Sequence, residues 1–139
     1  MASHRSIAGL FSLMSMSCTQ APQVAVHFVL PDAYRGAFTV GAEPSTPTPP
    51  IDDGRLVLAV PESGRLQIPD TAPLEQWHQS TAATRSGTPL PIGSDQADPA
   101  VFYVAARADG SHWFFVGSRA GYDELLRDPF SIKPGHRAP

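Results

Sequence analysis

Cysteine is nearly absent: Cys18 is the single thiol in 139 residues, so no internal disulfide can form and cysteine pairing gives no clue to compartment. Charge is sparse as well, at 17% Asp, Glu, Lys and Arg, against roughly 25% in ordinary soluble domains. Lysine occurs once, at Lys133, beside nine arginines. The net charge is −3 with no basic stripe, so a nucleic-acid partner lacks its electrostatic footprint. No apolar run reaches the about 20 residues that a membrane-spanning helix needs. A Gly-rich phosphate loop is missing, and no segment repeats with a fixed period.

The donors of a metal site are also dispersed. His27, His78, His112 and His136 lie far apart, no His-x-x-x-His occurs, and the carboxylates are not dense. Asp52 and Asp53 are neighbours in a loop, with too few oxygen donors around them for Ca²⁺. Ser63, in Pro-Glu-Ser-Gly, lacks the first glycine of a hydrolase elbow and sits in a strand-to-strand turn, so Glu62 and Ser63 read as turn polars. No cofactor is expected, and the chain is read as a non-enzyme.

What is present is turn chemistry and short apolar runs. Fifteen prolines and eleven glycines predict a loop-rich chain of short elements, which favours strands over helices. The length suits one domain with a modest core.

The central stretch is Val24 to Val40, where VAVHFVL and AFTV flank Pro31-Asp32-Ala33-Tyr34-Arg35-Gly36. It reads as strand, connection, strand, and as a hairpin-like pair on which the core is founded. Glu43 to Gly54, with four prolines, reads as an extended surface loop. Arg55 to Val60 and Arg65 to Ile68 read as two strands paired across Pro61–Gly64. Pro69 to Asp98 reads as a long excursion whose apolar residues dock on the sheet, with a helical turn at Leu74–His78. Val101–Arg107 and Ser111–Val116 flank Ala108-Asp109-Gly110, a strong hairpin signal because Gly supplies the positive φ of the turn. Aromatics at Trp113, Phe114 and Phe115 place side chains on both faces of that last strand, which predicts a central or covered position. Ser118 to Asp128 predicts a short helix capped by Ser118, with Tyr122, Leu125 and Leu126 on one face. Together these predict a mainly β fold: a small antiparallel β-sandwich of about six or seven short strands with one short C-terminal helix.

The first residues read as an address. Met1 to Arg5 is basic, Ser6 to Met16 is a mostly apolar run of 11 residues, and Ser17-Cys18 follows; that is the pattern of a secretory signal peptide. With Ser17 and Cys18 in place, the chain resembles a bacterial lipoprotein precursor, in which the cysteine is acylated and becomes the new N-terminus. Ser15 and Met16 depart from the usual residues of that motif. The expected organisation is a signal peptide over 1–17, a tether over 18–23 after a lipidated Cys18, a β-rich domain over 24–128 and a flexible tail over 129–139. The implied place is the cell envelope, lipid-anchored to a bacterial membrane; a secreted or periplasmic form without lipid is the alternative.

Three segments, FVLPDAYRG (28–36), VPESG (60–64) and FFVGSRAGYDE (114–124), resemble a family of small uncharacterised bacterial domains of secreted and lipoprotein chains. That resemblance implies a β-rich envelope domain and no activity. The expected role is therefore non-enzymatic: binding an envelope protein, glycan or other envelope component, or a purely structural module. A hydrolase whose site only the fold assembles is the remaining alternative. Tyr34, Arg35 and Trp77 form the candidate binding surface, because aromatics and arginine dominate binding hot spots. The competing reading packs Tyr34 beneath its turn and leaves Arg35 solvated.

Overall fold

The computed structural model describes residues 24–76, 78–129 and 131–136. The fold is mainly β. It has nine strands, β1 (Val24–Leu30), β2 (Gly36–Ala42), β3 (Ile51–Asp52), β4 (Arg55–Ala59), β5 (Arg65–Ile68), β6 (His78–Thr84), β7 (Pro89–Leu90), β8 (Ala100–Ala106) and β9 (His112–Gly117), among the described residues. A one-turn helix α1 (Ala72–Glu75) precedes β6, and α2 (Arg119–Arg127) follows β9. One sheet has the order β3-β4-β1-β6-β7 and the other β5-β2-β9-β8.

The sheets are mixed, not antiparallel. β1 pairs in parallel with β4 on one side and β6 on the other, and β2 pairs in parallel with β5. The two halves of the central stretch therefore do not pair: β1 lies in one sheet and β2 in the other. Both edges of β1 are taken, and Pro31–Arg35 carries the chain across the sandwich. Tyr34 fills that crossing from within, at 3% exposure, and its hydroxyl donates to Ala37 O at 2.6 Å. The expected β4–β5 pair is likewise split, because Val60–Gly64 makes the same crossing one layer along. Two arches of strand, crossing and strand thus stack on each other, which is why their strands run parallel.

The core lies between the sheets. Val26, Phe28 and Leu30 of β1 meet Phe38 and Val40 of β2 and Phe114 and Val116 of β9. Phe38 and Phe114 stack at 4.9 Å between ring centroids, and Phe28 meets both rings. The β8–β9 hairpin forms as the Asp-Gly turn predicts. β9 is interior in its sheet, and its outward Trp113 is buried beneath Arg107, whose guanidinium carbon lies 3.6 Å from the ring centroid; on neighbouring β8, Phe102 stacks on Tyr122 of α2 at 4.6 Å. Ser118 caps α2 by accepting from Gly121 N at 3.0 Å.

Residues 131–136 do not fray. Ile132 is buried beside Ala37 and Trp113, Gly135 N donates to Ala37 O at 2.9 Å, and Arg35 N donates to His136 Nδ1 at 2.9 Å.

Candidate functional site: a cleft between the sheets

The excursion before β8 leaves a gap in the sandwich. β6 turns small residues inward, Ser80 and Ala82, and β7 pairs only with Ala82 and Ala83. Among the described residues nothing fills the space between the sheets at the His78 end of β6, which is bounded by α1 at the end and by β8 and β9 opposite. The resulting cleft has a volume of about 430 Å³ and is half open. Phe28, Leu74, Ile92, Val101 and Phe114 give it an apolar wall. A register shift between Tyr103 and Ala105 in β8 lies beside it, and Tyr103 remains 50% exposed while its ring meets Phe114 edge-on at 5.4 Å.

Four further polar side chains line the wall: Gln76, His78, Ser80 and His112. His112 is buried, at 4% exposure, because it shares the inward face of β9 with Phe114 and Val116. Its Nδ1 has no hydrogen-bond partner among the described residues, and its Nε2 lies 3.9 Å from Glu75 Oε1. Thr71 Oγ1 donates to that same carboxylate oxygen at 3.3 Å. His78 Nδ1 is 2.8 Å from Gln76 O; a carbonyl only accepts, so this nitrogen carries a proton and Nε2 is the acceptor of the neutral ring. Burial raises the Tyr103 phenol above its ordinary range, so it stays a neutral hydrogen-bonding group. Among the described residues no lysine or arginine lines the cleft. Its chemistry is that of a holder: an apolar body fits between the aromatic rings, and neutral donors and acceptors meet its polar end.

Of the residues singled out in the sequence, His78 and His112 line the cleft, and Tyr34 and Arg35 do not. Tyr34 is interior and plugs its arch, so it offers no surface. Arg35 points outward, where its guanidinium pairs with Asp98 at 2.6 Å. Cys18 and Trp77 lie outside the described residues. His27 and His112 do not meet: His27 is on the outer face of the first sheet, with Nδ1 2.7 Å from Thr81 Oγ1, and desolvation followed by the Arg55 charge holds its pKa below the ordinary value. Ser63 and Glu62 do not line the cleft. Ser63 Oγ accepts weakly from Arg65 N at 3.4 Å, and Glu62 lies 3.9 Å from Arg85. The signal for the cleft was a histidine in phase with Phe114 and Val116 along one strand, and a tyrosine in phase with Val101 along its neighbour. Among the described residues no helix is long and apolar enough to cross a membrane, and no group of three or more His, Cys, Asp or Glu converges on one point.

No protein-family model matches the chain, and no curated protein sequence matches it. One solved structure is similar in shape, a crystal structure named as a "putative lipoprotein" from Bacillus anthracis, with 11% sequence identity over 84% of this chain and 86% of that one and a TM-score of 0.47. A likeness at that score and identity carries no argument about what this chain does.

Proposed function

We propose that the chain is a non-enzymatic binding domain of the bacterial cell envelope, held at a membrane by a lipid on Cys18, and that its ligand is a small apolar envelope component received between the sheets. The observation that carries the binding half is the cleft itself. It has a volume within the roughly 300–1,000 Å³ of small-molecule sites, an aromatic and aliphatic wall, and a few polar groups set into that wall. The sequence carries the address: a basic start, a short apolar run and Ser17-Cys18. Two acyl chains on one cysteine make a stable anchor where a single chain is marginal.

A hydrolase reading has less support, since no Ser–His or Thr–His hydrogen bond occurs in the cleft among the described residues. A purely structural module is the reading that a filled cleft would have favoured.

Two measurements test the proposal. Intact mass after expression in a Gram-negative host gives a chain that begins at a diacylglyceryl-modified Cys18, and inhibition of the lipoprotein signal peptidase replaces it with a chain that begins at Met1 and still carries the lipid on Cys18. An unmodified Met1 overturns the anchor. The neutral fluorescent probe N-phenyl-1-naphthylamine brightens with the wild-type protein and not with Ser80→Phe, which fills the cleft. Equal brightening of both overturns the cleft as the binding site.

A further inference from the structure

The cleft and the start of β1 lie at the same end of the sandwich. Val24, the first residue of β1, is paired with His78, a residue of the cleft wall. Paired strands stand about 4.8 Å apart. Cys18 precedes Val24 by six residues, and six residues reach at most about 20 Å. On the reading that Cys18 carries the lipid, the cleft wall stands within about 25 Å of the bilayer surface, the tether's reach and one strand spacing together.

Its chemistry then selects among the molecules of that surface. Among the described residues an anionic head would find no lysine or arginine in the lining, and it would meet the Glu75 carboxylate beside His112. A buried anion without a cation is costly. The polar groups that are present, the imidazoles of His78 and His112, the Ser80 hydroxyl, the Gln76 amide and the Tyr103 phenol, suit a head that is uncharged and both donates and accepts. The cleft, about 430 Å³ with its apolar wall of Phe28, Val101 and Phe114, suits one alkyl chain and not the two chains of a phospholipid.

We infer that the cleft takes up the single alkyl chain of an uncharged lipid from the membrane to which the protein is tethered, a molecule of the monoacylglycerol kind with hydroxyl and ester groups at its head. This rests on the envelope reading above. The polar end sits against the His78–Ser80 and His112 side chains, and the chain lies between the two sheets.

The test uses the full chain carrying Cys18→Ser, made by cell-free synthesis without membranes or detergent, titrated at pH 8 below micelle formation. Three ligands share one chain and differ in the head: monolaurin, laurate and dodecyltrimethylammonium. Monolaurin is expected to bind at least tenfold more tightly than either ion, and Ile92→Asp, at the exposed side of the wall, is expected to weaken it at least tenfold. Ser80→Phe is the second variant, so a folding failure of one leaves the other. Tighter binding of laurate or of the ammonium overturns the uncharged head while leaving the cleft as a binding site. No uptake of any of the three, with N-phenyl-1-naphthylamine still bound, overturns the lipid. No uptake of that probe either removes the cleft reading itself. Lipidated protein that refuses monolaurin, where the Cys18→Ser chain accepts it, shows the anchor's own chain in the cleft and overturns a lipid taken from the membrane.

Discussion

The phenolic oxygen of Tyr34 lies where a Cβ on Gly64 would have to be. Tyr34 belongs to the first arch and Gly64 to the second, so this contact sets how closely the arches stack. Gly64 has a φ of +72°, and the same imaginary Cβ would stand 2.6 Å from the backbone nitrogen of Gly135. The Pro-x-x-Tyr-x-Gly and Pro-Glu-Ser-Gly segments, distant in sequence, are therefore two halves of one packing arrangement.

Gly64→Ala should be severely destabilising. The left-handed conformation costs an L-residue about 1–2 kcal/mol, and overpacking adds about 1–3 kcal/mol. Urea unfolding should show a loss of roughly 2–5 kcal/mol at unchanged m. A loss within about 0.5 kcal/mol, the range of ordinary surface substitutions, would mean that the arches can separate freely.

Tyr34→Phe tests the hydroxyl alone and should cost about 1 kcal/mol at neutral pH. Burial pushes the Tyr34 pKa from 10.0 up to about 12, opposed by the hydrogen bond from the Gly135 backbone. The folded state holds this proton more tightly than the unfolded chain does. The Tyr34 contribution is therefore constant below about pH 10 and is lost as pH rises from 10 towards 12. Denaturation midpoints measured across that window should fall more steeply for the wild type than for Tyr34→Phe.

Gly117→Ala probes how α2 is seated. A Cβ there would meet Phe115 Cζ at 2.7 Å and Cε1 at 2.9 Å, and a Cβ on Gly121 would stand 3.2 Å from the Cζ of the same ring. The ring covers both glycines, so an added methyl must push it off. A loss of about 1–3 kcal/mol is expected, with changed near-UV circular dichroism as the aromatic packing under α2 shifts.

Ser118→Ala removes the α2 N-cap and should cost about 1 kcal/mol, with Ser118→Asp restoring most of it. Hydrogen exchange at Gly121, whose N–H the Ser118 oxygen accepts, should quicken in the alanine variant and slow again in the aspartate one.

Strand positions in this chain were legible where β-branched and aromatic residues cluster, as in VAVHFVL, RLVLAV and WFFV. So were the Asp-Gly hairpin and the Ser118 cap, since each is fixed by contacts within a few residues. Partners were not legible. The six residues from Pro31 to Gly36 would serve a hairpin loop as well as a crossing, and only the burial of Tyr34 and the occupation of both β1 edges decide between them. β6 escaped notice because HQSTAAT has no apolar alternation; it is a strand because β1 offers it an edge. The same small inward residues, Ser80 and Ala82, leave the cleft unfilled, so the least strand-like stretch and the candidate site have one cause. Ile132 and His136 gave no periodic signal, as each docks alone.

The position of β1 also bears on force. The described residues begin with Val24 in β1, which is hydrogen-bonded along both edges, over five residue pairs to β4 and seven to β6. A pull applied at that end runs along the strand axis, so it loads both ladders in shear, many bonds at once, and cannot peel them open one by one. The first strand of the described fold is thus the one clamped along both edges against being drawn out.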